Sequence, residues 1–103
     1  MAVVIPDLEA EVSIPQNGTL SRVLYQDDRV RLVLFAFDEG QELTEHRSSS
    51  GAVVQVVKGR LRFTASGEEH ELGPSSWLCM APGEEHALEA TEPSLMLLTL
   101  IRN

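Results

Sequence analysis

The sequence predicts an all-β protein, a closed barrel or sandwich of short strands. Three observations carry this. Apolar segments rich in β-branched and aromatic residues recur at about 8–12-residue spacing. Turn signals fall between them. Helical periodicity is nearly absent.

The elements follow in chain order. IPDLEAEV (5–12) has room for a helical turn or two, with Pro6 and Asp7 near its start. PQNGT (15–19) reads as a surface loop. RVRLVLFAF (29–37) is a strand by length and composition. AVVQVV (52–57) is almost continuously apolar, the pattern of a strand covered on both faces. RLRFTA (60–65) alternates, with Leu61, Phe63 and Ala65 on one side and Arg60, Arg62 and Thr64 on the other. WLCMA (77–81) and SLMLLTLI (94–101) complete the strong segments. Turns are expected at Asp27-Asp28, Lys58-Gly59, Ser66-Gly67, Gly73-Pro74, Pro82-Gly83 and Glu92-Pro93. Ser66-Gly67, between RLRFTA and EEHEL, is the firmest hairpin.

Composition sets the outer bounds. A chain of 103 residues, 43% apolar and 23% charged, is one soluble domain spanning 1–103. No run approaches the roughly 20 apolar residues of a membrane helix. MAVVIPDLEAEVSIP lacks a basic n-region and is broken by Pro6 and Asp7, so it is no signal peptide. Cys79, the single cysteine, forms no internal disulfide, and a cytoplasmic location is expected. Sixteen acidic against eight basic residues, net −8, is the wrong sign for nucleic acid.

The chemistry-bearing stretches are GQELTEHRSSSGAVVQVVKGRLRF and LGPSSWLCMAPGEEHALEA, at 40–59 and 75–90 in their motif cores. They resemble the paired motifs of the cupins, small jelly-roll barrels. Gly40, His46 and Gly59 stand at the first motif's spacings, and Gly83 and His86 at the second's. Pro82 falls one place late, with Ala81 at the usual proline position. The resemblance implies a single jelly-roll β-barrel of two antiparallel sheets. It also implies a metal held by two histidines and a glutamate of the first motif and one histidine of the second. Here Ser48 replaces one of those histidines and Ala52 the glutamate, while Ser75 or Ser76 replaces a glycine and Ala90 an asparagine.

Only His46 and His86 therefore remain as candidate ligands for one nickel, zinc, iron or copper ion. Such a site ordinarily takes about three protein donors. Glu42 shares a side with Thr44 and His46 on a regular strand and is a possible third donor. Gln55 is another if a bulge reverses its parity. Cys79 reads instead as a small buried apolar residue, and His70 as surface. Without a metal, Ser48, Ser49 and Ser50 offer hydroxyl partners to a buried imidazole.

Three functions stay open. The first is a binding module, with a small molecule in a pocket of Val54, Val56, Leu78, Met80, Ser48 and aliphatic residues of the last strand, oriented by His46 and His86. The second is a metal-dependent dioxygenase or isomerase. The third is a structural or regulatory homodimer without chemistry. Phe35, Phe37, Phe63 and Trp77 read as core or subunit-contact residues. Residues 1–19 are expected to supply a dimer-contact strand and a loop, since small cupins commonly pair as homodimers.

Overall fold

Nine strands form: β1 (Thr19–Gln26), β2 (Val30–Phe37), β3 (Glu42–Arg47), β4 (Gly51–Lys58), β5 (Leu61–Ala65), β6 (Glu68–Leu72), β7 (Trp77–Met80), β8 (Glu85–Ala90) and β9 (Ser94–Ile101). The structure, a computed structural model, describes residues 1–102, and among these the side chains of Glu45 and His46 lie outside what is described. One sheet has the order β1-β2-β9-β4-β7 and the other β3-β8-β5-β6. Every pairing is antiparallel. Pairs β2/β9, β3/β8, β4/β7 and β5/β6 are nested one inside the next, the pattern of a long hairpin wrapped into a barrel. This is the jelly roll of two antiparallel sheets that the sequence implies.

Alternation in β4 and β5 builds the interior. Ala52, Val54 and Val56 point in with Leu61 and Phe63, and meet Phe37, Leu72, Met80, Leu88, Ala90 and Met96. Burying each large apolar side chain contributes about 1.5–3 kcal/mol. A smaller cluster, Leu34, Ala36 and Leu95, lies apart under Val12 and Ile14. Val57 packs there too, which explains the doubly apolar look of β4. Gln55, between the inward valines, is exposed.

The turns follow their residues. Ser66 and Gly67 take φ of 49° and 81°, the left-handed pair that a tight hairpin needs. Gly59 has φ of +86°, and a β-carbon there would collide with Ser94 Oγ and the Pro93 carbonyl oxygen. Ser75 adopts φ of 71°, standing in left-handed backbone where the second motif has its glycine. The helical turn expected in 5–12 shrinks to a 3₁₀ turn, Leu8–Ala10, capped by Asp7 Oδ1 accepting from Glu9 N at 3.1 Å. Within the single chain, no strand precedes Thr19 among the described residues.

Candidate functional site

The site rests on the pairing of β3 with β8. Leu43 lies opposite Leu88, and His46 opposite His86. Three steps on β3 thus match two on β8, so β3 carries one extra residue. The bulge settles which face each residue takes. Glu42 sits opposite Glu89, and both line an outer concavity with Thr44, Arg62 and Thr64. Glu42 thus lies on the outer side of β3, and the register shift falls between it and His46, so the regular strand on which the two were expected to share a side is not what forms. Gln55 fails as a third donor for a simpler reason. It lies opposite Trp77 and Leu97 on the exterior of the larger sheet, with no register shift between it and Ala52. Cys79 is exposed rather than buried, so it neither packs in the core nor approaches His86 from within.

His86 is held by its own turn. Gly83, at φ +83°, lets the chain reverse, and its N–H donates to the Ser48 carbonyl at 2.8 Å. Glu84 locks the next residue: its carboxylate accepts from Ala81 N at 2.9 Å and from Ser66 Oγ at 2.7 Å. Those two donors, Ala81 N–H first, hold the Glu84 carboxyl below its ordinary value. The Glu84 carbonyl accepts from His86 Nδ1 at 3.2 Å, which places the ring proton on Nδ1. The imidazole lies parallel to Phe63, with centroids 5.9 Å apart and 7° between planes. At the rim, Arg47 donates to the Gly83 carbonyl at 3.0 Å and pairs with Glu85 at 3.3 Å, tying β3 to the turn before β8.

Between the sheets lies a cavity of about 60 Å³. Phe35, Leu43, Val54, Phe63 and Met80 line it, with His86, Leu88, Met96 and Leu98. His86 is its polar member among the described residues. Of the pocket residues expected from sequence, Val54 and Met80 are here. Val56 is buried in the adjoining core, and Leu78 lines an open groove between β6 and β7. Ser48 is half-buried at the rim, where its Oγ accepts from Ser50 N at 3.1 Å. His46 faces His86 by backbone register, and its side chain lies outside the described residues. His70 is partly exposed, 3.9 Å from Glu68.

Sequence reasoning did not assign Phe35, Phe63, Leu43, Leu88 and Met96 to the cavity. Their inward parity was readable for Phe63, beside Leu61. It was readable too for Leu88, two residues from His86 on a regular strand; for Leu43 it turns on the bulge in β3, which no residue type announces.

A metal must be tested against these donors. Ala52, at the glutamate position of the first motif, is buried in the core and has nothing to donate. No group of three or more His, Cys, Asp or Glu capable of holding a metal occurs among the described residues. Among the described residues, which leave out the side chains of Glu45 and His46, the donor set falls short of the usual three.

Residues 31–97 match the family model of the AraC-like ligand-binding domain. Among solved structures, a conserved protein of unknown function from Streptococcus pyogenes is 32% identical, with a TM-score of 0.89, covering 100% of this chain and 90% of that one. A cupin superfamily protein from Desulfitobacterium hafniense is 24% identical, with a TM-score of 0.88 and coverage of 93% and 88%. An RmlC-like cupin from Desulfovibrio desulfuricans is 19% identical, with a TM-score of 0.86 and coverage of 98% and 97%. The last two speak for the fold alone. No curated protein matches the chain.

Proposed function

The chain belongs to the family of AraC-like ligand-binding domains, on the small cupin barrel, and from that premise we propose that it is a binding module for a small uncharged organic molecule. The interior cavity carries the reading. Its described lining is apolar except for His86, so a carboxylate or ammonium placed there would lose its hydration without a charged partner. His86, fixed by Phe63 and the Glu84 carbonyl, orients the ligand's polar end. Size narrows the class. At about 60 Å³ the cavity is well below the roughly 150 Å³ that takes up benzene in an apolar core. The ligand is therefore no larger than a single ring, and Met80 and Met96 must move to admit it, as flexible thioethers do.

Phenol, uncharged at neutral pH, and benzoate, a single-ring anion, make the test. Phenol should raise the melting temperature through selective binding to the native state, and benzoate should not. Leu98→Trp, which fills the cavity, should abolish the phenol effect. No shift with phenol, or an equal shift with benzoate, overturns the reading.

The second reading, a metal-dependent dioxygenase or isomerase, has one observation in its favour: the register that puts His46 opposite His86. Mass-spectrometric metal content decides it, since about one equivalent of nickel, zinc, iron or copper per chain would require a further donor. The binding module is taken to work as a homodimer.

A further inference from the structure

We propose that the open groove between β6 and β7 is a second binding site, taking an organic cation with an apolar body. It shares no lining residue with the interior cavity, so it stands apart from the uncharged-ligand site above.

Strand parity builds the anionic wall. Strands β6 and β7 are the last strands of their sheets. Along β6, Glu68, His70 and Leu72 pair with Ala65, Phe63 and Leu61, the inward row of β5. All three therefore face the larger sheet, while Glu69 and Glu71 turn outward to Arg62. Trp77 and Leu78 of β7 line the groove from the other side. Glu84 joins Glu68 beside the Ser66–Gly67 hairpin: it accepts from Ser66 Oγ at 2.7 Å, and Glu68 lies two residues beyond Ser66.

Charge then selects the ligand. Arg62 gathers Glu69, Glu71 and Glu89 on the outer face. Glu68 reaches the His70 ring at 3.9 Å, but no lysine or arginine pairs with Glu68 or Glu84 among the described residues, and none lines the groove. The Glu84 carboxylate is fixed, and kept ionised, by the Ala81 N–H and the Ser66 hydroxyl. Two carboxylates beside Leu72 and Leu78 suit an ammonium joined to a hydrocarbon body, and repel an anion of the same shape. Trp77, 63% exposed, adds aromatic surface, which favours cations. Size agrees as well. The groove holds about 480 Å³, within the roughly 300–1,000 Å³ of ordinary ligand pockets, against about 60 Å³ in the interior.

Phenethylammonium and 2-phenylethanol, one skeleton with and without the charge, test this by amide and methionine-methyl NMR titration of the full chain. The expected result is saturable shifts with phenethylammonium at Glu68, His70 and Leu78, with the Met96 methyl of the interior unmoved. The dissociation constant at those amides should be at least about three-fold higher for 2-phenylethanol, and for phenethylammonium in the double variant Glu68→Gln, Glu84→Gln. Glu68→Gln alone, at a side chain 81% exposed, should show part of that loss with unchanged circular dichroism. No shift at the groove amides, equal affinity for the two probes, or variants that bind as the wild type does would overturn the proposal, leaving Glu68 as a charge that guards the β6 edge. Phenethylammonium shifts centred on Met96 would refute the groove and the uncharged-ligand reading together.

Discussion

Gly59 and Gly40 form a matched pair that isolates a packing term. Both have φ of +86°, so alanine at either position is forced into left-handed backbone, at about 1 kcal/mol. Around Gly40 the space is open. Around Gly59 the new methyl meets Ser94 Oγ, the Pro93 carbonyl oxygen and, at 2.7 Å, Ser94 Cα. Two of these three are backbone atoms that no rotamer change removes. Relief requires the first residue of β9 to shift away from the β4–β5 turn. That movement breaks the bond from Arg60 N to Ser94 Oγ, 2.9 Å, inside a site where Ser94 is fully buried. Leaving such a group unpaired costs about 1–3 kcal/mol. Gly59→Ala should therefore lose about 2–4 kcal/mol and Gly40→Ala about 1 kcal/mol. In a domain of this size the difference is at least about 4 °C in melting temperature. Urea unfolding with a common m-value measures it. Equal losses within about 0.5 kcal/mol would refute the steric argument and leave only the backbone conformation.

Three further outcomes are expected. Ser94→Ala removes the acceptor of Arg60 N and the donor to the Glu92 carbonyl, and should cost about 1–3 kcal/mol by denaturant titration; a neutral substitution would mean water replaces the hydroxyl. Met96→Ala enlarges the interior cavity, and should cost about 2–5 kcal/mol while strengthening uptake of benzene, read by its thermal shift; loss of stability without any gain in benzene binding would mean the barrel collapses onto the space. The Asp27 carboxyl is held down at about 2 by the Tyr25 hydroxyl first and then by the N–H groups of Val30 and Arg29. A lowered carboxylate stabilises the fold above its unfolded value near 3.8, and that contribution disappears as pH falls toward 2. Asp27→Asn should flatten this part of the acid-unfolding curve measured between those values, and an unchanged curve would contradict the assignment.

The fold was legible because its central strands alternate or run apolar, as in β4, β5 and β9. Strands β1 and β3 were harder to read, since they are sheet edges. TLSRVLYQ is exposed over most of its length and shows no alternation. The site was less legible than the fold, because it turns on parity. Glu42 and His46 are four residues apart, Glu42 lines an outer concavity with Arg62, and a single extra residue of β3 falls between the two. Cys79 looked like core by composition, and Trp77 like core or a subunit contact; both are exposed because β7 ends its sheet. No local residue pattern reports which strand is last.

The central claim is that the barrel interior, with Met80 and Met96 as its movable wall, receives the ligand. The chain has three methionines, and Met1 is fully exposed. Methyl-¹³C methionine spectra during a phenol titration therefore contain their own control. The account predicts saturable shifts at Met80 and Met96 with Met1 unmoved, and loss of those shifts in Leu98→Trp. Unmoved Met80 and Met96 methyls, or a shift confined to Met1, would contradict it.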